Sequence, residues 1–249
     1  MKVIASDFDG TLRRHGVISK RDRQAVVRWR KEGNLFGVVT GRDYEQACFV
    51  IKKHRIAVDF VICCTGAIIT DGKFNVICEE KGCSEAIPEL AEYTLSLNPE
   101  YFHASNYGEV YYVPCGKEPV RDGGTALTSK EMSEIPFFHQ VNTCFENDEQ
   151  ALEYITYVNE RYGEYFNAFR NGRFVDIPPA GISKTEGIYR YMKIVGAEKK
   201  DVTTVGDNFN DIGMITEFGG CAVGRARDEV KAAAKTVCEG IAELIEKLE

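Results

Sequence analysis

Asp7 and Asp9 stand one residue apart directly behind the apolar run Val3-Ile4-Ala5, and Gly10-Thr11 follow them. Two carboxylates at the end of a buried strand are costly unless chemistry uses them, and ligands of open α/β sheets gather beyond strand carboxyl ends. Gly10 lets the backbone turn sharply out of that strand. Three more segments end a strand or open a helix with a polar group: Thr40 with Gly41-Arg42, Lys184, and Gly206-Asp207-Asn208-Phe209-Asn210-Asp211. Three or four carboxylates meeting in a low-dielectric cleft repel strongly, so a cation is expected among them. All-oxygen ligands select a hard divalent ion, and Mg²⁺ suits a site where phosphate completes the shell. Lys184 adds a point positive charge, and Thr40 with the N–H groups of Gly41 and Arg42 adds neutral donors at a helix mouth. The chemistry this predicts is phosphoryl transfer, with Asp7 attacking phosphorus to form an aspartyl-phosphate. Asp9 would protonate the leaving alcohol and later take a proton from the attacking water. For that Asp9 must start protonated, a state that neighbouring negative charge favours.

Each segment taken singly has a plainer reading. Asp7 and Asp9 are then solvated loop carboxylates, Thr40 a β-branched strand residue and cap, Lys184 an exposed first-turn lysine, and Gly206-Asp207-Asn208 an ordinary turn. The conjunction of four such segments, in order and at strand ends, is what favours a site.

The elements that must position them are legible. Val3 to Ala5, Leu35 to Thr40 and Phe60 to Cys64 are apolar runs of strand length, separated by helical patterns. One opens at Ser19-x-x-Asp22 and buries Ala25, Val26 and Trp29; the next spans about Tyr44 to His54. This βαβαβ order predicts a parallel sheet. From Thr65 the pattern turns antiparallel, with hairpins read at Asp71-Gly72 as a tight primed turn, at Asn106-Tyr107-Gly108 and at Asn171-Gly172. After Pro178-Pro179-Ala180-Gly181 the strand–helix alternation resumes, with Val202 to Val205 leading into Gly206-Asp207. The predicted fold is α/β: a Rossmann-like core of parallel sheet with helices on both faces, residues 1–80 and 184–249, interrupted by an α+β cap at 81–183.

With 249 residues the chain can bury a full core. Its net charge of −7, with no Lys/Arg block longer than a pair such as Lys52-Lys53 or Lys199-Lys200, argues against a nucleic-acid partner. No apolar stretch is long enough for a membrane span and no export signal is visible, so neither a membrane partner nor export is expected. The nine cysteines are an odd number without a C-x-x-C pair, and they read as buried free thiols in a reducing cytoplasm. The four histidines lack zinc-like spacing.

Asp7-Phe8-Asp9-Gly10-Thr11, Val39-Thr40-Gly41-Arg42, Gly181-Ile182-Ser183-Lys184 and Gly206-Asp207-Asn208-Phe209-Asn210-Asp211 together resemble the four motifs of the haloacid dehalogenase-like superfamily, and most closely its Cof-type phosphatases. The resemblance covers nearly the whole chain, because that group inserts an α+β cap between its second and third motifs. It implies that Asp7 is nucleophile and Mg²⁺ ligand, and that Asp9 is the acid/base and binds Mg²⁺ through its backbone carbonyl. It further implies that Asp207 is the remaining protein ligand and that Thr40, Gly41 and Lys184 bind phosphate. Asn210 would reach phosphate or substrate, and Asp211 would support the metal shell or orient Lys184. One departure is Thr65-Gly66-Ala67, where the family usually has Asn-Gly-Ala.

The expected activity is Mg²⁺-dependent hydrolysis of a small phosphorylated metabolite, with sugar phosphates among the candidates and substrate choice lodged in the cap. Arg121, Asp122 and the Arg170-Asn171 turn are candidate cap contacts. A phosphomutase is the nearest rival, disfavoured by a cap more acidic than basic. A phospho-accepting signalling module is disfavoured by the D-x-D opening, and a degenerate phosphate-binding protein by the retention of every required group. A dinucleotide enzyme or P-loop protein is disfavoured because neither glycine signature is present.

Overall fold

The computed structural model describes residues 1–116 and 123–249. The first segment contains β1 (Val3–Ser6), α1 (Lys20–Lys31), β2 (Leu35–Val39), α2 (Tyr44–His54), β3 (Phe60–Cys63), β4 (Ile68–Asp71) and β5 (Val76–Glu79). The middle contains α3 (Ile87–Ser96), β6 (Tyr101–Asn106), β7 (Glu109–Tyr112), β8 (Thr125–Ala126), β9 (Gln140–Cys144), α4 (Asp148–Tyr162), β10 (Phe169–Asn171) and β11 (Phe174–Ile177). The last contains α5 (Lys184–Val195), β12 (Val202–Gly206), α6 (Ile212–Phe218), β13 (Cys221–Val223), α7 (Asp228–Ala233), β14 (Thr236–Cys238) and α8 (Ile241–Leu248).

The larger sheet runs β14-β13-β12-β1-β2-β3-β4-β5, parallel through β3 and antiparallel at β4 and β5. β1 is fully buried, and its side chains alternate between two cores. Ile4 packs with Trp29 of α1, Ile51 of α2 and Ile245 of α8, whereas Val3 and Ala5 pack with Ile188 and Met192 of α5 and Met214 of α6. Helices therefore cover both faces. Ser6 lies opposite Val205 of β12 and Val38 of β2, so the chain segments leaving β12, β1 and β2 emerge side by side. That register brings Asp207, Asp7 and Thr40 to one sheet edge.

The smaller sheet runs β10-β11-β9-β6-β7-β8. Its two faces differ, as period-two alternation allows. Phe102, Ala104, Val141, Val175 and Ile177 form a separate apolar core with Leu90 of α3 and Val158 of α4. The intervening residues form cross-strand rows: Asp176 opposite Asn142, Asn142 opposite His103, and Gln140 opposite Ser105. This face is polar, and it lies over the site described below.

One local reading needs correction, and one strand was not read. The turn after β4 is longer than a tight Asp-Gly turn: Asp71 N–H donates to Asn75 O at 2.9 Å, and the positive φ of 69° falls on Phe74. Gly72 is required for a different reason, since a Cβ there would lie 2.3 Å from Val58 O. The two-residue strand β8, parallel to β7, has no sequence period to reveal it. All nine cysteines are free, but Cys83 is exposed, contrary to the burial expected of them. Among the described residues no helix is long and apolar enough to cross a membrane.

Candidate active site

Asp7, the first residue beyond β1, is anchored by its N–H to Val205 O at 2.9 Å and is nearly buried. Lys184 opens α5 behind the Ser183 cap, and its ammonium donates to Asp7 Oδ1 and Asp211 Oδ1, each at 2.7 Å. Burial opposes its charge, but Asp211 and Asp7 outweigh that and hold its proton more tightly than usual. The other oxygen of Asp211 accepts from the N–H groups of Asp207 and Asn208 at 2.9 and 3.1 Å. Asp207 accepts from the Thr11 hydroxyl at 2.5 Å. Gly10 sits at φ 95°, and a Cβ there would come within 2.2 Å of Asp207 Oδ2.

Ligand oxygens of Asp7, Asp207 and Asp211 all lie within 4.8 Å of one another. Burial first, then the charge of Asp211, drives the Asp7 carboxyl well above the ordinary carboxylate range, while Lys184 pulls it down. Burial pushes Asp207 up to about 6. Asp7 Oδ2 is buried and, among the described residues, receives no hydrogen bond. A buried acceptor without a donor, inside an all-oxygen corner with excess negative charge, fits a small hard cation. The corner contains the Asp211 side chain and not that of Asp9.

Asp9 faces elsewhere. Its carboxylate accepts from Arg13 at 2.7 Å and from Arg42 Nε and Nη2 at 2.5 and 3.1 Å. Burial raises its pKa, but the hydrogen bonds and charges of Arg42 and Arg13 prevail and lower it. This reverses the expected electrostatics: two arginines, not neighbouring carboxylates, set the state of Asp9, and they favour the ionised form.

Thr40 and Gly41 are in place at the end of β2, but the donors read there are partly occupied. Arg42 N–H donates to Thr40 Oγ1 at 3.2 Å, and α2 is capped by Asp43. A Cβ on Gly41 would lie 2.3 Å from Asp176 Oδ2, so only glycine admits the polar sheet face this closely.

Thr65 explains the departure noted in the sequence. It adopts φ 52°, an uncommon conformation for a β-branched residue that costs roughly 1–3 kcal/mol. Its N–H bonds Thr40 O at 3.1 Å, and its hydroxyl donates to Gln140 Oε1 at 2.7 Å. Gln140 Nε2 in turn donates to Gly41 O at 2.6 Å. A fully buried side chain of β9 thus ties the Thr65 loop to the Gly41 loop. Gln140→Leu orphans the Thr65 hydroxyl and the Gly41 carbonyl, and is expected to cost about 2–4 kcal/mol in urea denaturation at constant m-value.

The cavity bounded by these groups is about 410 Å³ and takes Asp7, Asp9, Thr40 and Gly41 from one side. Tyr101, His103, Asn142 and Asp176 line it from the other. Asn210 also lines it, with its amide donating to Asp176 Oδ2 at 3.4 Å. Of the candidate cap contacts, Asn171 lines the cavity, whereas the Arg170 guanidinium lies 3.5 Å from the Phe209 ring centroid. Arg121 and Asp122 lie outside the described residues. The Arg42 side chain, Gln140, Asn142 and Asp176 were missed. For the last three the available signal was polar residues at alternate positions of apolar strands, as in Gln140-Val141-Asn142 and Val175-Asp176-Ile177.

A family model described as haloacid dehalogenase-like hydrolase matches residues 4–243. The pyridoxal phosphate phosphatase YbhA of Escherichia coli is 28% identical over 95% of this chain and 92% of its own length. The 5-amino-6-(5-phospho-D-ribitylamino)uracil phosphatase YwtE of Bacillus subtilis is 26% identical over 100% of this chain and 98% of its own. A solved haloacid dehalogenase-like hydrolase from B. subtilis has a TM-score of 0.85 at 20% identity, covering 100% of both chains. A solved subclass IIB sugar phosphatase has a TM-score of 0.83 at 20% identity, covering 100% of this chain and 99% of that one.

Proposed function

The chain belongs to the haloacid dehalogenase-like hydrolases of Cof type and is a phosphoric monoester hydrolase, and from that premise we propose that it dephosphorylates a small metabolite through an aspartyl-phosphate on Asp7. The observation that carries this reading is the asymmetry of the Asp7 carboxylate: one oxygen is fixed by Lys184, and the other is buried and, among the described residues, without a donor. In the first half-reaction an Asp7 oxygen bonds phosphorus, the bond to the leaving alcohol breaks, and Asp9 supplies the alcohol's proton. In the second, water attacks phosphorus, Asp9 takes its proton, and the Asp7–phosphorus bond breaks. Because Arg42 and Arg13 favour its ionised form, Asp9 must leave Arg42 and take up a proton, from solvent or from a monoanionic phosphate ester, before it can donate one. The substrate phosphate is the natural competitor for that guanidinium.

Asp7 and Asp207 would hold Mg²⁺ with the Asp9 main-chain carbonyl, and when bound it would neutralise charge on the phosphoryl oxygens. Lys184, Thr40 and Gly41 are assigned to phosphate, Asn210 to phosphate or substrate, and Asp211 to fixing Lys184. Residues 81–183 are assigned as the cap that selects the leaving group, and the free thiols support a cytoplasmic address.

Purified protein with Mg²⁺ is expected to hydrolyse p-nitrophenyl phosphate and a member of a phosphorylated-metabolite panel, and to lose that activity in EDTA. Folded, Mg²⁺-loaded protein inert toward all of them would overturn the assignment.

A further inference from the structure

We propose that the polar face of the smaller sheet is a leaving-group subsite with no lysine or arginine among its described lining residues and with Asp176 as its specificity-determining residue, so that the preferred substrate carries hydroxyl groups and no second anion. This rests on the phosphomonoesterase reading above.

Asp176 lies on β11 with 8% of its surface exposed, and it lines the cavity. Among the described residues no lysine or arginine pairs with it. Its partners are two amides: Asn142 Nδ2 donates to Oδ1 at 2.9 Å and Asn210 Nδ2 to Oδ2 at 3.4 Å. A carboxylate offers about four acceptor positions, so roughly two remain. Because Asp176 only accepts while ionised, both amides must turn their NH₂ groups toward it, which leaves their carbonyl oxygens as further acceptors. Asp176 and the two amide carbonyls therefore offer oxygen lone pairs, beside one remaining N–H on each amide and the Tyr101 and His103 side chains that line the same side. Hydroxyl groups, which both donate and accept, satisfy such a wall, whereas a carboxylate or second phosphate would meet the Asp176 charge with no lysine or arginine among the wall's described residues to pair it.

The charge balance points the same way. Arg42 is the single lysine or arginine among the described residues lining the cavity, and it is engaged by Asp9 through two nitrogens or, in the proposed reaction, by the transferring phosphate that displaces Asp9. Like-charge juxtaposition in a desolvated site discriminates strongly between partners.

Matched pairs test this. With Mg²⁺-loaded wild-type protein, kcat/KM for sorbitol 6-phosphate is expected to exceed that for 6-phosphogluconate at least tenfold, and fructose 6-phosphate to exceed fructose 1,6-bisphosphate likewise. Asp176→Asn keeps the shape and removes the charge, and should shrink both ratios by about tenfold. A purely structural role would lower both members of each pair alike and leave the ratios unchanged, which overturns the proposal, as does a wild-type preference for the second anion. Calorimetric binding of the same pairs to Asp7→Asn protein reads the preference without turnover. A failure of the phosphatase reading, seen as inactivity toward p-nitrophenyl phosphate, is thereby separated from a failure of the subsite.

Discussion

Asp7→Asn is expected to abolish turnover while the protein stays folded and keeps its cavity. An amide is a poor nucleophile toward phosphorus, and loss of a nucleophile typically costs 10⁴-fold or more in kcat. The substituted side chain still has a carbonyl oxygen to accept from Lys184, and Lys184 keeps Asp211 as its second partner. Removing a buried carboxyl whose pKa stands well above the ordinary range should, if anything, stabilise the metal-free protein. The informative pair of measurements is kcat on p-nitrophenyl phosphate and the thermal midpoint without Mg²⁺. Activity within tenfold of wild type would remove Asp7 from the nucleophile's role, and a collapsed midpoint would show that folding alone had been tested.

Lys184→Met should be the most destabilising single change in the site. The ammonium is buried between Asp7 and Asp211, with Asp207 close by. Removing one partner of a buried ionic group costs about 3–5 kcal/mol, because the remaining charges lose their compensation. The pH dependence has a definite sign. Burial raises the Asp7 and Asp207 pKa values, the latter to about 6, so the folded protein binds protons that the unfolded chain releases at ordinary carboxylate pKa values. Stability from these groups is therefore fully present below about pH 4 and lost as pH rises through the folded values. Without Lys184 that loss should deepen. Urea midpoints of variant and wild type should lie closer at pH 5 than at pH 8, and Mg²⁺ should narrow the gap at pH 8. A gap independent of both pH and Mg²⁺ would mean that Lys184 acts through packing alone.

The parts of the site that the sequence exposed are those where a buried strand ends in a polar residue. Asp7, Thr40 and Asp207 follow apolar runs, and the β12-β1-β2 order makes their convergence a consequence of topology. Lys184 was legible through the helix it opens. What stayed hidden depends on pairing between distant segments. Nothing near Asp9 in the chain announces that Arg42 will reach it and favour its ionised form. Gln140, Asn142 and Asp176 were hidden inside strands whose apolar residues carried the reading. Thr65 stood out as a departure, but its explanation lay 75 positions away, in the amide of Gln140.

The two-faced strand β9 also bears on how this protein can change. Val141 and Thr143 point one way, and Gln140, Asn142 and Cys144 the other. Core packing and cavity lining are thus written on alternate letters of the same short word. Substitutions at Asn142, the β9 residue that lines the cavity, leave the apolar core intact, whereas Gln140 in the same row ties the Thr65 and Gly41 loops and is constrained by both. A single inserted or deleted residue in β9 has no such freedom, because it exchanges the two faces and corrupts both messages at once.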